Sequence, residues 1–266
     1  MPEPLPILLL GGTTEAAALA ERLAADPRVA VTSSLAGRTH RPASLPGALR
    51  VGGFGGAEGL AEHILRAGIA LLVDATHPFA SRISEHAADA CVEAGIPRLQ
   101  LVRPPWAPEP GDDWRPAADL ATARARILES GARRVFLAIG RQELAAFAGL
   151  EGVHLLVRMI DPPETALPLG DHEVILDRGP FAEDDERALL ERSAIELLVT
   201  KNSGGGATYG KVAAARHLGL PVVMVARPPL PPGPKVETVE QALDWIEAER
   251  DGAAARLDAR QGRRRA

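Results

Sequence analysis

Lys201-Asn202-Ser203, followed by Gly204, Gly205 and Gly206, concentrates polar chemistry in very few residues. It follows the apolar run ELLVT and precedes a helix-like segment, so it stands at the end of a buried strand, where consecutive glycines can form an anion nest. Of 30 basic residues only Lys201, Lys211 and Lys235 are lysine. Where arginine is the default, a lysine suits a need for a compact ammonium or a tunable pKa, which makes Lys201 a candidate ligand or catalytic group; the plainer reading is a lysine that simply persists. Tyr209 and Lys211 are two residues apart, which fails the one-turn spacing that a tyrosine–lysine catalytic pair needs on one helix face.

A second stretch, ILLLGGTTEA at 7–16, has the form of a buried strand that breaks at glycine and feeds a helix, the usual seat of a phosphate. Gly11 and Ala16 fit the outer slots of the G-x-G-x-x-G/A dinucleotide fingerprint, with Thr13 in the middle slot. Glu15 suits the helix dipole but would repel a phosphate it faced. A plain turn capped by Thr13 or Thr14 accounts for the motif equally well.

Other strand-end loops add candidates. In SSLAGRTHRP, Ser33, Ser34 and Arg38 stand where an NAD site would carry an acid, and hydroxyls with a guanidinium suit the extra phosphate of NADP; a solvated arginine loop is the alternative. GGFGG at 52–56 permits a close ligand approach or makes a tight turn. In DATHPFAS, Asp74 and Thr76 are expected to cap a helix, while His77 offers a titratable ring. Arg141, Arg158 and Arg178 could collect carboxylates of an acidic substrate or serve as surface charges.

The elements that position these loops alternate. Apolar runs predict strands at Ile7–Leu10, Val29–Thr32, Ile69–Val73 and Arg98–Val102, with helices at Thr14–Ala25, Ala57–Ala67 and Ser81–Ala94. The rhythm resumes with strands at Val135–Ile139, Val153–Val157, Glu173–Leu176, Leu197–Thr200 and Val222–Val225. Thr238 and Gln241 form a capping box for a last helix with Val239, Ala242 or Leu243, and Ile246 on one face. Strand–helix alternation implies right-handed crossovers and parallel sheets.

The halves also match one another. Ile69 aligns with Ile195, Pro97 with Pro221, Arg103 with Arg227 and Leu10 with Ile139. The expectation is an α/β protein of two Rossmann-like parallel-sheet domains of similar topology, with ligands in an interdomain cleft. The boundaries read 1–102 for the first domain, 103–117 for a proline-rich linker, 118–250 for the second domain and 251–266 for a disordered, arginine-rich tail.

A net charge of −5, 3% aromatic residues and no basic stretch within the folded region argue against a nucleic-acid partner. Cys91 is the single cysteine, which excludes an internal disulfide or cysteine-cluster zinc site and fits a reducing cytoplasm. No apolar run of membrane-spanning length and no signal-peptide pattern occurs, so no membrane partner is expected.

Taken in order, GGTTEA, SLAGRT, VGGFGG, VDATHPFA, RPPW, IGRQEL, RMIDPPE, GPF and VTKNSGGGATYGK resemble the precorrin-6A reductases of vitamin B12 biosynthesis, cobalt-precorrin counterparts included, to about Arg250. The resemblance implies an NADPH-dependent enzyme that delivers hydride to a double bond of a polycarboxylated, ring-contracted tetrapyrrole. It assigns NADPH to the front half, at Gly11, Gly12, Thr13, Ser34, Arg38, Thr39, Phe54, Gly55, Asp74, Ala75 and Thr76. The macrocycle falls to His77, Arg141, Arg158, Lys201, Asn202, Ser203, Gly204 and Gly205, with Lys201, Ser203 and His77 as candidate proton donors and no metal ligands. A monomeric state is left open. Two rival functions remain at this point: a two-domain α/β glycosyltransferase and a non-catalytic nucleotide-sensing protein.

Overall fold

The computed structural model describes residues 3–37 and 45–265. The chain divides into two compact units, one of residues 1–103 with 228–266 and one of residues 104–227.

The first unit begins with β1 (Leu5–Leu10), α1 (Thr14–Ala24), β2 (Val29–Leu35) and β3 (Ala48–Val51). It continues through α2 (Gly56–Arg66), β4 (Leu71–Asp74), α3 (Ser81–Ala94) and β5 (Arg98–Leu101). β1 and β4 are continuous apolar runs because both faces of the sheet are covered. On one face Ile7, Leu9, Leu71 and Val73 pack against Leu19 and Leu23 of α1; on the other, Leu8, Leu10 and Leu72 pack against Leu60 and Ile64 of α2 and Ala87 of α3. Each such fully buried leucine or isoleucine contributes about 1.5–3 kcal/mol.

The second unit runs β6 (Trp114–Ala117), α4 (Leu120–Ser130), β7 (Arg134–Ala138), a 3₁₀ helix (Arg141–Phe147), β8 (His154–Met159) and β9 (His172–Leu176). α5 (Glu183–Arg192), β10 (Leu197–Lys201), α6 (Gly210–His217) and β11 (Val222–Val225) complete it. Phe136, Leu156, Leu198 and Met224 of its sheet pack against Leu189 and Leu190 of α5 and Val212 and Ala215 of α6.

The chain then returns to the first unit as β12 (Lys235–Val236) and α7 (Val239–Arg265). The sheets run β12-β5-β4-β1-β2-β3 and β6-β11-β10-β7-β8-β9, with every strand pair parallel. Both are the six-stranded doubly wound order of a dinucleotide-binding fold, so the expected fold class is the one observed. The sixth position is filled in an unexpected way. β6 follows β5 in the chain but edges the second sheet, and β12 follows β11 but edges the first.

Three boundaries therefore change. The second unit ends at Arg227, not at 250, because the returning chain is fixed to the first sheet: Gln100 Nε2 donates to Pro231 O at 2.9 Å and Arg98 Nη2 to Pro232 O at 2.7 Å. Residues 114–117, expected inside a linker, pair with β11 as a strand. The expected tail is helical as far as Arg265; Ala253 is buried and Leu257 packs on the first unit's hydrophobic cluster. The capping box forms as anticipated: Gln241 N donates to Thr238 Oγ1 at 3.2 Å and Thr238 N to Gln241 Oε1 at 3.3 Å. Among the described residues, no helix is long and apolar enough to cross a membrane.

Candidate functional site

In each sheet the strand order reverses between two central strands, and the carboxyl ends of those strands flank the place where open α/β sheets bind ligands. In the first unit they are β1 and β4. Gly11 N donates to Ser34 O at 3.0 Å, which turns the chain out of β1, and Gly12 follows with φ 117°. A Cβ on Gly12 would meet no atom within 4 Å, so open space lies against this backbone. Thr13 caps α1: its Oγ1 accepts from Ala16 N at 3.1 Å and donates to Ala75 O at 2.8 Å, tying the β1 loop to the β4 loop. The cap satisfies one first-turn amide and leaves others of that turn for a ligand. These features fit the pyrophosphate of a dinucleotide, whose negative charge the helix end favours.

Glu15 does not stand as an uncompensated charge there. Arg103 Nη1 donates to Glu15 Oε2 at 2.8 Å, with both side chains largely buried. Asp74 and Thr76 do not cap α3, whose N-cap is Ala80 without a side-chain bond. Instead, buried Asp74 accepts from Thr76 Oγ1 at 2.7 Å and Thr76 N at 3.2 Å, a local turn that competes with capping. His77 Nδ1 accepts from Phe79 N at 3.2 Å, which places the proton of the neutral ring on Nε2.

At the β2–β3 edge, Ser34 is buried and Phe54 lies in the glycine loop. Gly59 of α2 lets the chain close on itself, since a Cβ there would lie 1.9 Å from Phe54 O. Gly55, with φ 87°, supplies the N-cap position of α2. Arg38 and Thr39 lie outside the described residues. Arg50, which stands in none of the sequence motifs, has its guanidinium 3.8 Å from the Phe54 ring centroid, donates to Gly53 O at 2.6 Å and also bonds Gly52 O.

In the second unit the flanking strands are β7 and β10. Lys201, at the end of β10, forms an ion pair with Glu143 of the 3₁₀ helix, and Glu143 Oε2 also accepts from Gly140 N at 3.2 Å. The glycine loop after β10 is built around the RPPW segment. Asn202 Oδ1 accepts from Trp106 N at 2.7 Å and Nδ2 donates to Trp106 O at 3.0 Å, so its amide, expected at the macrocycle, is committed to the backbone. Gly205 O accepts from Trp106 Nε1 at 2.8 Å. Gly204 has φ 67°, and a Cβ on it would lie 2.0 Å from Pro104 O, so its glycine is required by close packing. Ser203 Oγ reaches Lys201 O at 3.4 Å. Arg227 donates from Nε to Asn202 O at 2.8 Å and from Nη2 to Ser203 O at 3.0 Å. The RPP repeat contained the signal for Arg103 and Arg227, but not what each would hold.

Arg158, expected to collect a carboxylate of the substrate, is instead spent inside the protein. Its side chain is 9% exposed, forks onto Glu186, with the Nη1 to Oε2 bond at 3.0 Å, and lies 4.0 Å from the Phe181 ring centroid. A buried guanidinium needs such a partner. Arg141 is exposed at the start of the 3₁₀ helix, and Arg178 is also exposed. Of the three candidate proton donors, His77 belongs to the first unit and Lys201 and Ser203 to the second.

A family model, Precorrin-6x reductase CbiJ/CobK, matches residues 6–247. A precorrin-6A reductase of Rhodococcus erythropolis is 52% identical over 241 residues, covering 90% of this chain and 96% of its own. A cobalt-precorrin-6A reductase of Priestia megaterium is 29% identical over 255 residues, covering 89% and 96%. A solved structure, CobK precorrin-6A reductase, superposes with a TM-score of 0.87 at 41% identity, covering 92% of this chain and 96% of that one.

Proposed function

Because the chain belongs to the precorrin-6x reductase family, we propose that it carries out the NADPH-dependent reduction of a double bond in precorrin-6A. Family membership across residues 6–247 carries this reading. It gives no support to a glycosyltransferase or a purely sensing role. The higher identity to precorrin-6A reductases than to the cobalt-precorrin enzyme favours the metal-free macrocycle.

NADPH, when bound, supplies the hydride. The residues of this chain have the task of holding and orienting. Gly11, Gly12 and Thr13 with the first turn of α1 hold the pyrophosphate, and Arg103 neutralises the one carboxylate in that turn. The β4 loop, stiffened by the Asp74–Thr76 bonds and by Thr13 on Ala75 O, forms the opposite wall. In the second unit, Arg141 attracts the peripheral carboxylates of the macrocycle and Lys201 exchanges its Glu143 partner for one of them, while Trp106 and Arg227 keep the glycine loop in shape. His77 holds a proton on Nε2 that it can donate as the ring system accepts hydride, with Lys201 and Ser203 as alternative donors.

The test is anaerobic mixing of the protein with NADPH and precorrin-6A. Nicotinamide absorbance should fall in step with the change in the tetrapyrrole's visible spectrum, and no sugar nucleotide should be consumed. NADPH binding without oxidation in the presence of precorrin-6A contradicts the reading. Lys201→Ala should raise KM for the tetrapyrrole about 10-fold, as loss of one charge-assisted contact does, while leaving the Kd for NADPH unchanged.

A further inference from the structure

Leu10, Ser34 and Arg50 form a line across the carboxyl edge of the first sheet. Leu10 is in register with Ser34, and Ser34 with Arg50. With the pyrophosphate loop after β1, the adenosine ribose of a dinucleotide lies at the end of β2. Arg50 is one strand farther out, about 4.8 Å away laterally, a distance that a ribose phosphate spans.

The guanidinium is held in place there. It lies over the Phe54 ring at 3.8 Å, and Phe54 rests on His63 with ring centroids 5.2 Å apart. Nη1 bonds Gly52 O and reaches Ser34 Oγ at 3.4 Å, and Nη2 donates to Gly53 O at 2.6 Å. All of these partners are neutral. Arg28, Arg103, Arg158 and Arg216 each have a carboxylate, whereas among the described residues none pairs with Arg50. Its charged surroundings have the same sign. Burial first, then Arg50 and Arg66, pull the His63 imidazole below its ordinary value, and His63 Nε2 is buried without a partner. Space is present as well: a Cβ on Gly52, Gly53, Gly55 or Gly56 would meet nothing within 4 Å. A fixed, uncompensated cation beside a hydroxyl and open glycine backbone suits a phosphate dianion.

We propose that Arg50, together with the Ser34 hydroxyl, binds the 2′-phosphate of NADPH and sets the preference for NADPH over NADH. This rests on the NADPH reading above and names the residue that reads its distinguishing group. Arg38, also in this region of the sequence, is the competing assignment.

The experiment measures the affinity of the full chain for NADPH, NADH, 2′,5′-ADP and 5′-AMP in wild type, Arg50→Met, Arg50→Lys, Ser34→Ala and Arg38→Met. Wild type should prefer 2′,5′-ADP to 5′-AMP. Arg50→Met should lose NADPH affinity by roughly 30-fold, the worth of a charge-assisted contact, and NADH affinity by less than about 3-fold. Arg50→Lys should keep part of the preference, and Ser34→Ala should reduce it by roughly 3-fold, as for one neutral hydrogen bond. A purely structural clamp on the glycine loop would weaken both dinucleotides alike, so equal losses overturn the assignment. So does a preference that vanishes in Arg38→Met and survives in Arg50→Met. Should Arg50→Met not fold, the lysine and Ser34 variants decide by the same ratio. A wild type that binds neither NADPH nor 2′,5′-ADP would refute the NADPH reading itself, an outcome distinct from failure of Arg50 alone.

Discussion

The places where strand order reverses in the two sheets have the same topology and opposite chemistry. After β1 the chain presents Gly12 with open space beside it, a threonine cap and a regular α-helix whose acidic residue is neutralised by Arg103. After β7, a 3₁₀ helix follows; its Glu143 carboxylate takes the Gly140 amide and pairs with Lys201, and a Cβ on Gly140 would lie 2.9 Å from that carboxylate. A carboxylate bound to the amide that would meet a phosphate excludes that phosphate by occupancy and by charge. One doubly wound sheet therefore leaves this place open beside Gly12, and its counterpart fills it with the Glu143–Lys201 pair. Topology supplies the place, and a few side chains decide which ligand can use it.

The difference between the two places is tested most severely at paired positions. Gly12→Asp combines a side chain at φ 117° with a negative charge at the phosphate seat, and should weaken NADPH by more than about 100-fold, measured by nicotinamide fluorescence titration. Arg141 follows Gly140 as Gly12 follows Gly11, and Arg141→Asp should leave NADPH affinity within about 3-fold while raising KM for the tetrapyrrole about 10-fold. A large NADPH loss from the second substitution would erase the distinction between the units.

A smaller effect sharpens the role of charge. Arg103→Met leaves Glu15 uncompensated and should weaken NADPH about 10-fold, and adding Glu15→Gln should restore most of it. If the double variant binds as poorly as the single one, Arg103 acts through packing and not through charge.

The smallest effect concerns the second unit alone. Lys211 is buried, donates from Nζ to Thr208 O at 2.6 Å, and is pushed down to about 7 by burial, with Glu186 opposing and Arg158 reinforcing the shift. The unfolded chain then holds more protons than the folded one between pH 7 and its ordinary 10.5, so stability rises with pH across that window and gains nothing from this group below it. Lys211→Met should flatten the rise and add roughly 1–3 kcal/mol at pH 7, as packed apolar replacements of buried charges can. Urea denaturation at several pH values measures both; an unchanged slope would show that Lys211 is not its source.

Much of this was legible in the residues, for physical reasons. β1, β4, β10 and β11 are covered on both faces, so burial writes apolar runs into them that give way to polar residues only at the carboxyl ends of β4 and β10. β3, β6 and β12 are edge strands with partly exposed faces, one of them two residues long, and leave no such run. The exchanged sixth strands were hidden because chain order does not say which sheet an edge strand joins. At the site, backbone chemistry was readable from glycine and threonine spacing. Side-chain fates were not: Arg158 and Glu186 are 28 residues apart, and Asn202 and Trp106 are 96 apart, so only the folded chain shows that each is already engaged.

NADPH is expected at the first unit's loops and not at their counterparts in the second. Amide hydrogen exchange of the full chain with and without NADPH tests it directly. Slowed exchange is expected at residues 11–16, 52–56 and 74–77, with no change at 140–144. Protection at 140–144 with none at 11–16 would contradict it.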